Sequence, residues 1–342
     1  SPGYTRCAPD YEGFLGFGDW LSINADTPRD LIGTAFLAYD AHLMAEIAAV
    51  LGKSDDVTRY QALFEDVKAA FAKRFLAGSE AHLDSSLSAS VEEKTSHHEA
   101  ISRGNLAVVD YGPIESEVFN TNLFTPTQTA YALALHFDLL PDEMRPLAVA
   151  ELVADIERRD MHLSTGFVGS PYLPHVLSSG RRLDIAYALL HQKTWPSWLY
   201  AVTQGATTIW ERWDGWTEEN GFQSPFMNSF NHYAYGAIGA WLYETVVGVK
   251  SIQPGYKHFV VQPQLGGGLT HASARLNSVY GMISAEWRQV DARFEMMIVV
   301  PPNTSATVHL PVQSGPIVNL NGETVQGVVH DLSAGNYQFI VS

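Results

Sequence analysis

The sequence predicts a mainly α protein with a C-terminal all-β domain, an α/α toroid followed by an antiparallel β-sandwich. Three observations carry that expectation. Apolar residues recur at three- and four-residue steps up to about residue 250, polar glycine-rich loops return between the helical stretches, and after Pro254 the texture changes to short β-rich runs separated by turn residues. The predicted division is residues 1–253 for the helical domain and 254–342 for the sandwich.

In chain order, residues 10–24 (DYEGFLGFGDWLSIN) are glycine-punctuated and aromatic, with Glu12, Asp19 and Trp20 as landmarks, and read as a closely bending loop. Thr27-Pro28-Arg29-Asp30 reads as a helix start, with Thr27 as N-cap and Pro28 at the first helical position. Leu31 to Leu51 is helical, with Ile32, Phe36, Tyr39, Leu43, Ile47 and Val50 on one face, and Gly52 ends it. Asp55 to Leu76 repeats the pattern with Tyr60, Leu63, Phe64, Val67, Phe71 and Phe75, which completes a helical hairpin. Gly78 to Leu123 has no sustained period and reads as a long surface excursion; His97 and His98 in it are adjacent, a spacing that suits solvated loop residues rather than one metal. Helical periodicity resumes over Pro126 to Leu140 and Asp142 to Arg159. A Gly/Ser/Thr loop (163–173) precedes short helices near 171–178, 181–192 and 196–204, and a last helix runs from about Tyr233 to Val247.

About eight helices are predicted, where a closed toroid of six hairpins needs twelve. Either helices lie upstream of Ser1 or the barrel is incomplete at its N-terminus. The predicted strands are Phe259 to Val261, Ala272 to Leu276, Met282 to Arg288, Phe294 to Val300, Ala306 to Leu310, Ile317 to Leu320 and Tyr337 to Val341, with turns at Gly266-Gly267-Gly268, Pro301-Pro302-Asn303, Asn321-Gly322 and Gly335-Asn336. The triple glycine is a tight loop and not a phosphate cradle, because no Lys-Ser/Thr and no helix follow it.

The chain has 342 residues, 46% of them hydrophobic, enough to bury a large core. Its net charge of −16 comes without Lys and Arg clustering, which excludes a phosphate-binding face and with it nucleic acid as a partner. No apolar run approaches a bilayer span, so no membrane partner is expected, and SPGYTRCAPDYE does not read as a signal peptide. Cys7 is the only cysteine and permits no internal disulfide. Compartment and oligomeric state stay open, and no cofactor or metal is called for.

The chemistry concentrates in Gly205 to Gly236, which carries eight aromatic residues in thirty-two positions around Glu211, Asp214, Glu218, Glu219 and His232. Flat rings beside carboxylates and amides are what a sugar needs: rings stack on its C–H face while polar groups bind its hydroxyls. A Trp-rich core with capping carboxylates has the same composition. Glycoside hydrolysis requires one protonated and one ionised carboxyl group. Glu211 meets the requirement best, flanked by Trp210 and Trp213 and near Arg212 and Asp214. Glu12 and Asp19 are the comparable carboxylates of the other glycine-aromatic loop, whereas Glu218 and Glu219 look like exposed turn residues. Trp20, Trp213, Trp216, Asp214, His232 and Tyr233 are the candidate sugar-binding residues.

The segments FGDWLSI, TPRDLIGTAF, TQTAYALAL, HLSTGFVGSPYL, PSWLY, GATTIWERWDGW, NSFNHYAYGAIGAWLY and PGYKHFVVQPQLGGGLTHASA resemble the α-L-rhamnosidases of glycoside hydrolase family 78, in order and over most of the chain. The resemblance implies an (α/α)6 catalytic barrel, a C-terminal β-sandwich, rhamnose-containing glycosides or oligosaccharides as substrates, and inverting hydrolysis that releases L-rhamnose. It implies that Glu211 is the catalytic base and that His232 contacts the sugar. The family's acid lies seven residues before the Asp of a Gly-Asp pair; Gly18-Asp19 matches the pair and Glu12 the acid, although the intervening Gly-Trp has become Gly16-Phe17. Asp19 is carried over with it. The sequence departs from the family in lacking the domains and first barrel helices that precede this point, and in the length of the 78–123 excursion. Two other readings share these residues: a truncated chain that binds sugar or assembles without turnover, and a different (α/α)6 enzyme of glucoamylase or uronyl hydrolase type.

Overall fold

The computed structural model describes residues 17–76, 127–290, 293–311 and 318–341. Glu12, Cys7 and the 78–123 excursion with His97 and His98 lie outside these residues. The described residues divide into two compact units, one holding 17–18, 26–76 and 127–152 and the other 19–25 and those from 153 onward.

The first unit is built on a helical hairpin, α1 (Arg29–Val50) and α2 (Ser54–Phe75), followed by α3 (Gln128–His136) and the start of α4 (Arg145–Arg158). Gly52 ends α1 as expected, with Lys53 N–H bonding Ala48 O (2.9 Å) and Gly52 N–H bonding Ala49 O (3.1 Å), the paired bonds of a Schellman motif. The start of α1 differs from the expectation. Thr27 does not cap it; its hydroxyl turns instead to Thr127 Oγ1 (2.6 Å, buried), and Thr127 is the residue that caps α3 by accepting from Ala130 N–H at 3.1 Å.

The predicted face of α1 is also only partly the packed one. Phe36 and Tyr39 pack on Phe137, the latter stacked at 4.2 Å, but Ile47 and Val50 are 52% and 65% exposed. The fully buried stripe is Leu31, Thr34, Ala35, Ala38, Ala41, Ala45 and Ala48. Small side chains at helical spacing bury completely because they let a neighbouring backbone approach, and a reading weighted towards bulky residues passes over them. On α2 the predicted face holds, with Val67, Phe71 and Phe75 at its buried end.

The second unit carries α5 (Leu173–Ser179), α6 (Leu183–His191), α7 (Trp198–Thr203), the two-residue hairpin β1 (Trp216–Thr217) and β2 (Gly221–Phe222), and a helical run from Ala234 to Val247. That run is one turn of 3₁₀ (Ala234–Ala237), one of α-helix (α8, Ile238–Trp241) and a π segment (Leu242–Val247), where the sequence predicted one uniform helix. Its buried residues anchor it: Trp241 bonds Ser178 Oγ (2.8 Å), and Val246 O accepts from the Trp287 indole (2.8 Å).

The C-terminal strands form two sheets. The larger is ordered β10-β9-β12-β7-β6-β5, from Glu323–Val325, Val318–Leu320, Gly335–Val341, Arg293–Val300, Gly281–Val290 and His271–Ser278. The smaller is β11-β8-β4-β3, from Val329–Leu332, Ser305–His309, His258–Val261 and Val249–Ser251. Pairing is antiparallel throughout except between β4 and β8, which run parallel. Strands β3, β10 and β11 were not predicted, and Gly335-Asn336 opens a strand instead of making a turn. Alternate residues bury one face of the central strands, Ile283, Ala285 and Trp287 on β6 and Phe294, Met296, Ile298 and Val300 on β7.

The triple glycine has a packing reason. Gly266 and Gly267 lie flat on the Tyr187 ring, and a Cβ at Gly267 (φ +61°) would sit 2.6 Å from Tyr187 Cδ1. The Tyr187 hydroxyl bonds Gln264 O at 2.7 Å, and burial pushes its pKa up to about 12. Among the described residues no helix is long and apolar enough to cross a membrane.

Candidate active site

The aromatic stretch folds as a loop pinned by its own backbone. Glu211 N–H donates to Ser229 O (2.8 Å) while Ser229 N–H donates to Glu211 Oε2 (2.8 Å), so two strands of the loop clasp each other through the candidate base. Glu211 is half-buried, and this is the one hydrogen bond its carboxylate makes among the described residues. Arg212 does not pair with Glu211. Its guanidinium binds Asp214 in two places, Nε to Oδ1 at 2.9 Å and Nη2 to Oδ2 at 3.2 Å, and Gln223 Nε2 adds a bond to Asp214 Oδ2 at 3.0 Å. Asp214 is thereby a braced partner of Arg212 at the open end of the hairpin formed by β1 and β2. Glu218 and Glu219 lie exposed at the turn of that hairpin.

Trp213 is buried. It is 5% exposed, with its ring stacked on Tyr235 at 3.7 Å, its edge against Trp198, and its indole N–H bonded to Thr165 O at 3.0 Å. One face of the ring and its polar edge are committed within the protein. Trp216 is half-buried in β1, and its carbonyl accepts from Tyr200 OH at 3.1 Å. Burial, and after it the charges of Glu218 and Asp214, pushes the Tyr200 pKa up.

His232 and Tyr233 stand on the other side of the loop. The His232 ring lies between Phe167 (4.9 Å, tilted) and Tyr233 (5.2 Å, stacked), and Tyr233 is 87% exposed. His232 Nδ1 accepts from Ala234 N–H at 3.3 Å, which places the proton of the neutral imidazole on Nε2. Tyr235 is the hub the sequence did not single out. Its pKa is pushed strongly upward by burial first, then by the charges of Asp19, Asp214 and Glu211, against a lowering by Arg212.

Asp19 is buried, and its carboxylate accepts three backbone N–H groups: Gly166 on Oδ2 (2.8 Å), and Val168 (2.8 Å) and Gly169 (3.2 Å) on Oδ1. Three N–H donors aimed at one carboxyl group favour its ionised form. Trp20 is half-buried, and its carbonyl accepts from Phe167 N–H at 2.9 Å. The structure thus stacks Trp213 on Tyr235 and sets the Phe167 ring against both Tyr235 and His232. Phe167, Tyr235 and Thr165 are the residues sequence reasoning missed as parts of this arrangement; all lie in segments that it marked as glycine-rich or aromatic. Among the described residues no three His, Cys, Asp or Glu side chains group as metal ligands.

Residues 9–246 match the family model of the bacterial alpha-L-rhamnosidase 6 hairpin glycosidase domain, and residues 248–324 that of the bacterial alpha-L-rhamnosidase C-terminal domain. The chain belongs to the bacterial α-L-rhamnosidase six-hairpin glycosidase family. It is 37% identical over 331 residues to an alpha-L-rhamnosidase of Streptomyces avermitilis, covering 95% of this chain and 28% of that protein. It is 38% identical over 314 residues to one of Formosa agariphila, covering 90% and 30%. The chain thus spans under a third of the length of these curated relatives. Among solved structures, the S. avermitilis α-L-rhamnosidase complexed with L-rhamnose superposes with a TM-score of 0.81 at 36% identity, over 100% of this chain and 29% of that one. The α-L-rhamnosidase of Aspergillus terreus gives 0.73 at 30% identity, over 95% and 33%. The six-hairpin glycosidase class expected for the helical region, with a strand-rich C-terminal domain after it, is the family's own architecture.

Proposed function

We propose that this chain carries the base side of an α-L-rhamnosidase active site that releases terminal α-L-rhamnose from glycosides or oligosaccharides with inversion. The observation that carries the reading is Glu211: a half-buried carboxylate held by the single N–H of Ser229, in a loop braced by Trp213 on Tyr235. One held oxygen fixes the side chain, and the other is left to take a proton from water. In the inverting reaction that water attacks the anomeric carbon as the glycosidic C–O bond breaks, its proton passes to Glu211, and the departing oxygen is protonated by an acid on the opposite face. Glu12 is the acid the resemblance implies. His232, with its proton on Nε2 and its ring held by Phe167, is suited to donate to a sugar hydroxyl, and the exposed Tyr233 ring stacked beside it supplies apolar surface; the half-buried Trp20 and Trp216 are the further candidates for stacking on the sugar. In this reading the helical part of the chain, to about residue 253, is catalytic, and the sandwich after it is structural.

The test is release of p-nitrophenol from p-nitrophenyl α-L-rhamnoside by this chain, with L-rhamnose binding measured by calorimetry. Turnover with an inverted first product by NMR supports the proposal. Binding without turnover favours a sugar-binding role for the chain, and neither turnover nor binding overturns the proposal.

A further inference from the structure

We propose that Asn228 is a positioning residue for Glu211: its side-chain amide ties the segment that clasps the Glu211 carboxylate to the carbonyl of Gly215, at the open end of the β1–β2 hairpin. The inference rests on the rhamnosidase reading above for its catalytic meaning, but the tie itself is geometric.

A base held by one oxygen is only as well placed as the group that holds it. Glu211 is held by Ser229, whose N–H donates to Glu211 Oε2 and whose carbonyl accepts from Glu211 N–H, both at 2.8 Å. Ser229 lies in neither helix nor strand, so its placement has to come from other contacts. Asn228, the residue before it, supplies one: Nδ2 donates to Gly215 O at 2.9 Å, across 13 residues of chain. Gly215 O also accepts from Gln223 N–H at 3.1 Å, and the Gln223 side chain binds Asp214, so the anchor that Asn228 reaches is itself braced. Because Gly215 O can only accept, it fixes which end of the Asn228 amide faces it.

Packing sets this amide apart from an ordinary loop side chain. A Cβ at Gly215 would stand 3.0 Å from Asn228 Oδ1, 3.3 Å from the Trp210 ring and 3.4 Å from the Phe230 ring, so glycine at 215 leaves the space that the carboxamide fills. Trp210 and Phe230, the chain neighbours of Glu211 and Ser229, meet edge to face at 5.1 Å and close the same contact. Asn228 Oδ1 is buried and accepts no hydrogen bond from the described residues. A buried acceptor without a donor lowers stability, so what the side chain contributes lies in the bond its NH₂ group makes. Breaking that bond frees the Ser229 end of the clasp and leaves the Glu211 side chain chemically intact.

Asn228→Ala tests this. Amide exchange at Ser229 and Glu211 is expected to accelerate about tenfold or more, and the side-chain carboxyl resonance of Glu211 to move. Turnover of p-nitrophenyl α-L-rhamnoside is expected to lose about 10–100-fold in kcat per folded molecule with KM and L-rhamnose affinity within about twofold, because a displaced base weakens the transition state and not the bound sugar. Unchanged exchange at Ser229 overturns the proposal, as does faster exchange with kcat per folded molecule equal to that of the wild type. If the Ala variant does not fold, the wild-type protein decides: the Asn228 side-chain NH₂ and the Ser229 N–H should exchange with the same urea dependence, as parts of one opening, and a carboxamide that exchanges freely while Ser229 stays protected refutes the tie. A wild-type protein without turnover bears on the rhamnosidase reading alone, since exchange and the carboxyl resonance are read without substrate.

Discussion

Replacing Trp213 by phenylalanine separates the two roles that a tryptophan beside a catalytic carboxylate can have. The phenyl ring retains a stacking partner for Tyr235 but loses the indole N–H donated to Thr165 O at 3.0 Å and the part of the ring that meets Trp198. A buried acceptor deprived of its donor costs about 1–3 kcal/mol. Thr165 O keeps a long bond from Ser170 Oγ at 3.4 Å, which places the loss in the lower half of that range, and the missing ring volume adds to it. The expected destabilisation is about 2 kcal/mol. In a unit of roughly 200 residues that is a fall in Tm of about 4–8 °C. Calorimetry, with near-UV circular dichroism to follow the Trp213–Tyr235 pair, reads it. L-rhamnose affinity per folded molecule should change little. A variant that melts within a degree of wild type and binds rhamnose several-fold more weakly would refute the supporting role and restore Trp213 as a sugar platform.

Gly267→Ala should destabilise the protein by about 2–4 kcal/mol, since the new methyl meets the Tyr187 ring at 2.6 Å in a backbone of positive φ; a melting curve unchanged from wild type would show that the ring gives way freely. His309 provides a pH signature. Burial lowers its pKa below 6.5, more than the Asp331 carboxylate raises it, so the unfolded chain binds the proton more readily than the folded one. The stability this confers is complete above about pH 6.5 and is lost as pH falls from there through the folded-state value; His309→Gln should flatten the dependence of the urea midpoint between about pH 7 and pH 5. Equal slopes in both proteins would remove His309 as a cause.

The helical hairpin, the last strands and the aromatic loop were legible because each follows a local rule: 3.6-residue spacing on α2, alternation on β6 and β7, aromatic density around Glu211. What escaped the sequence follows from contacts that local rules do not carry. The alanine stripe of α1 looks like helix propensity until a neighbour packs against it. Strands β3, β10 and β11 have three or four residues each, too few to show alternation, and the parallel β4–β8 pair is fixed by partners far apart in the chain. Trp213 reads identically whether its ring faces a sugar or Tyr235. Asp19 reads as one carboxylate of a glycine-aromatic loop, and the N–H groups that it accepts come from a loop near residue 166, which no local rule connects to it.

The central claim is that Glu211 accepts the proton of the attacking water. Glu211→Gln keeps an oxygen for Ser229 N–H and the shape of the side chain, yet cannot take a proton. Turnover of p-nitrophenyl α-L-rhamnoside per folded molecule, measured with rhamnose affinity and Tm on the same samples, is therefore the most direct test. The account predicts a fall in kcat of about 10²–10⁴-fold with affinity and Tm close to wild type. Near-normal turnover, or a loss accounted for by the unfolded fraction, would contradict it and leave Glu211 as a structural clasp of the loop.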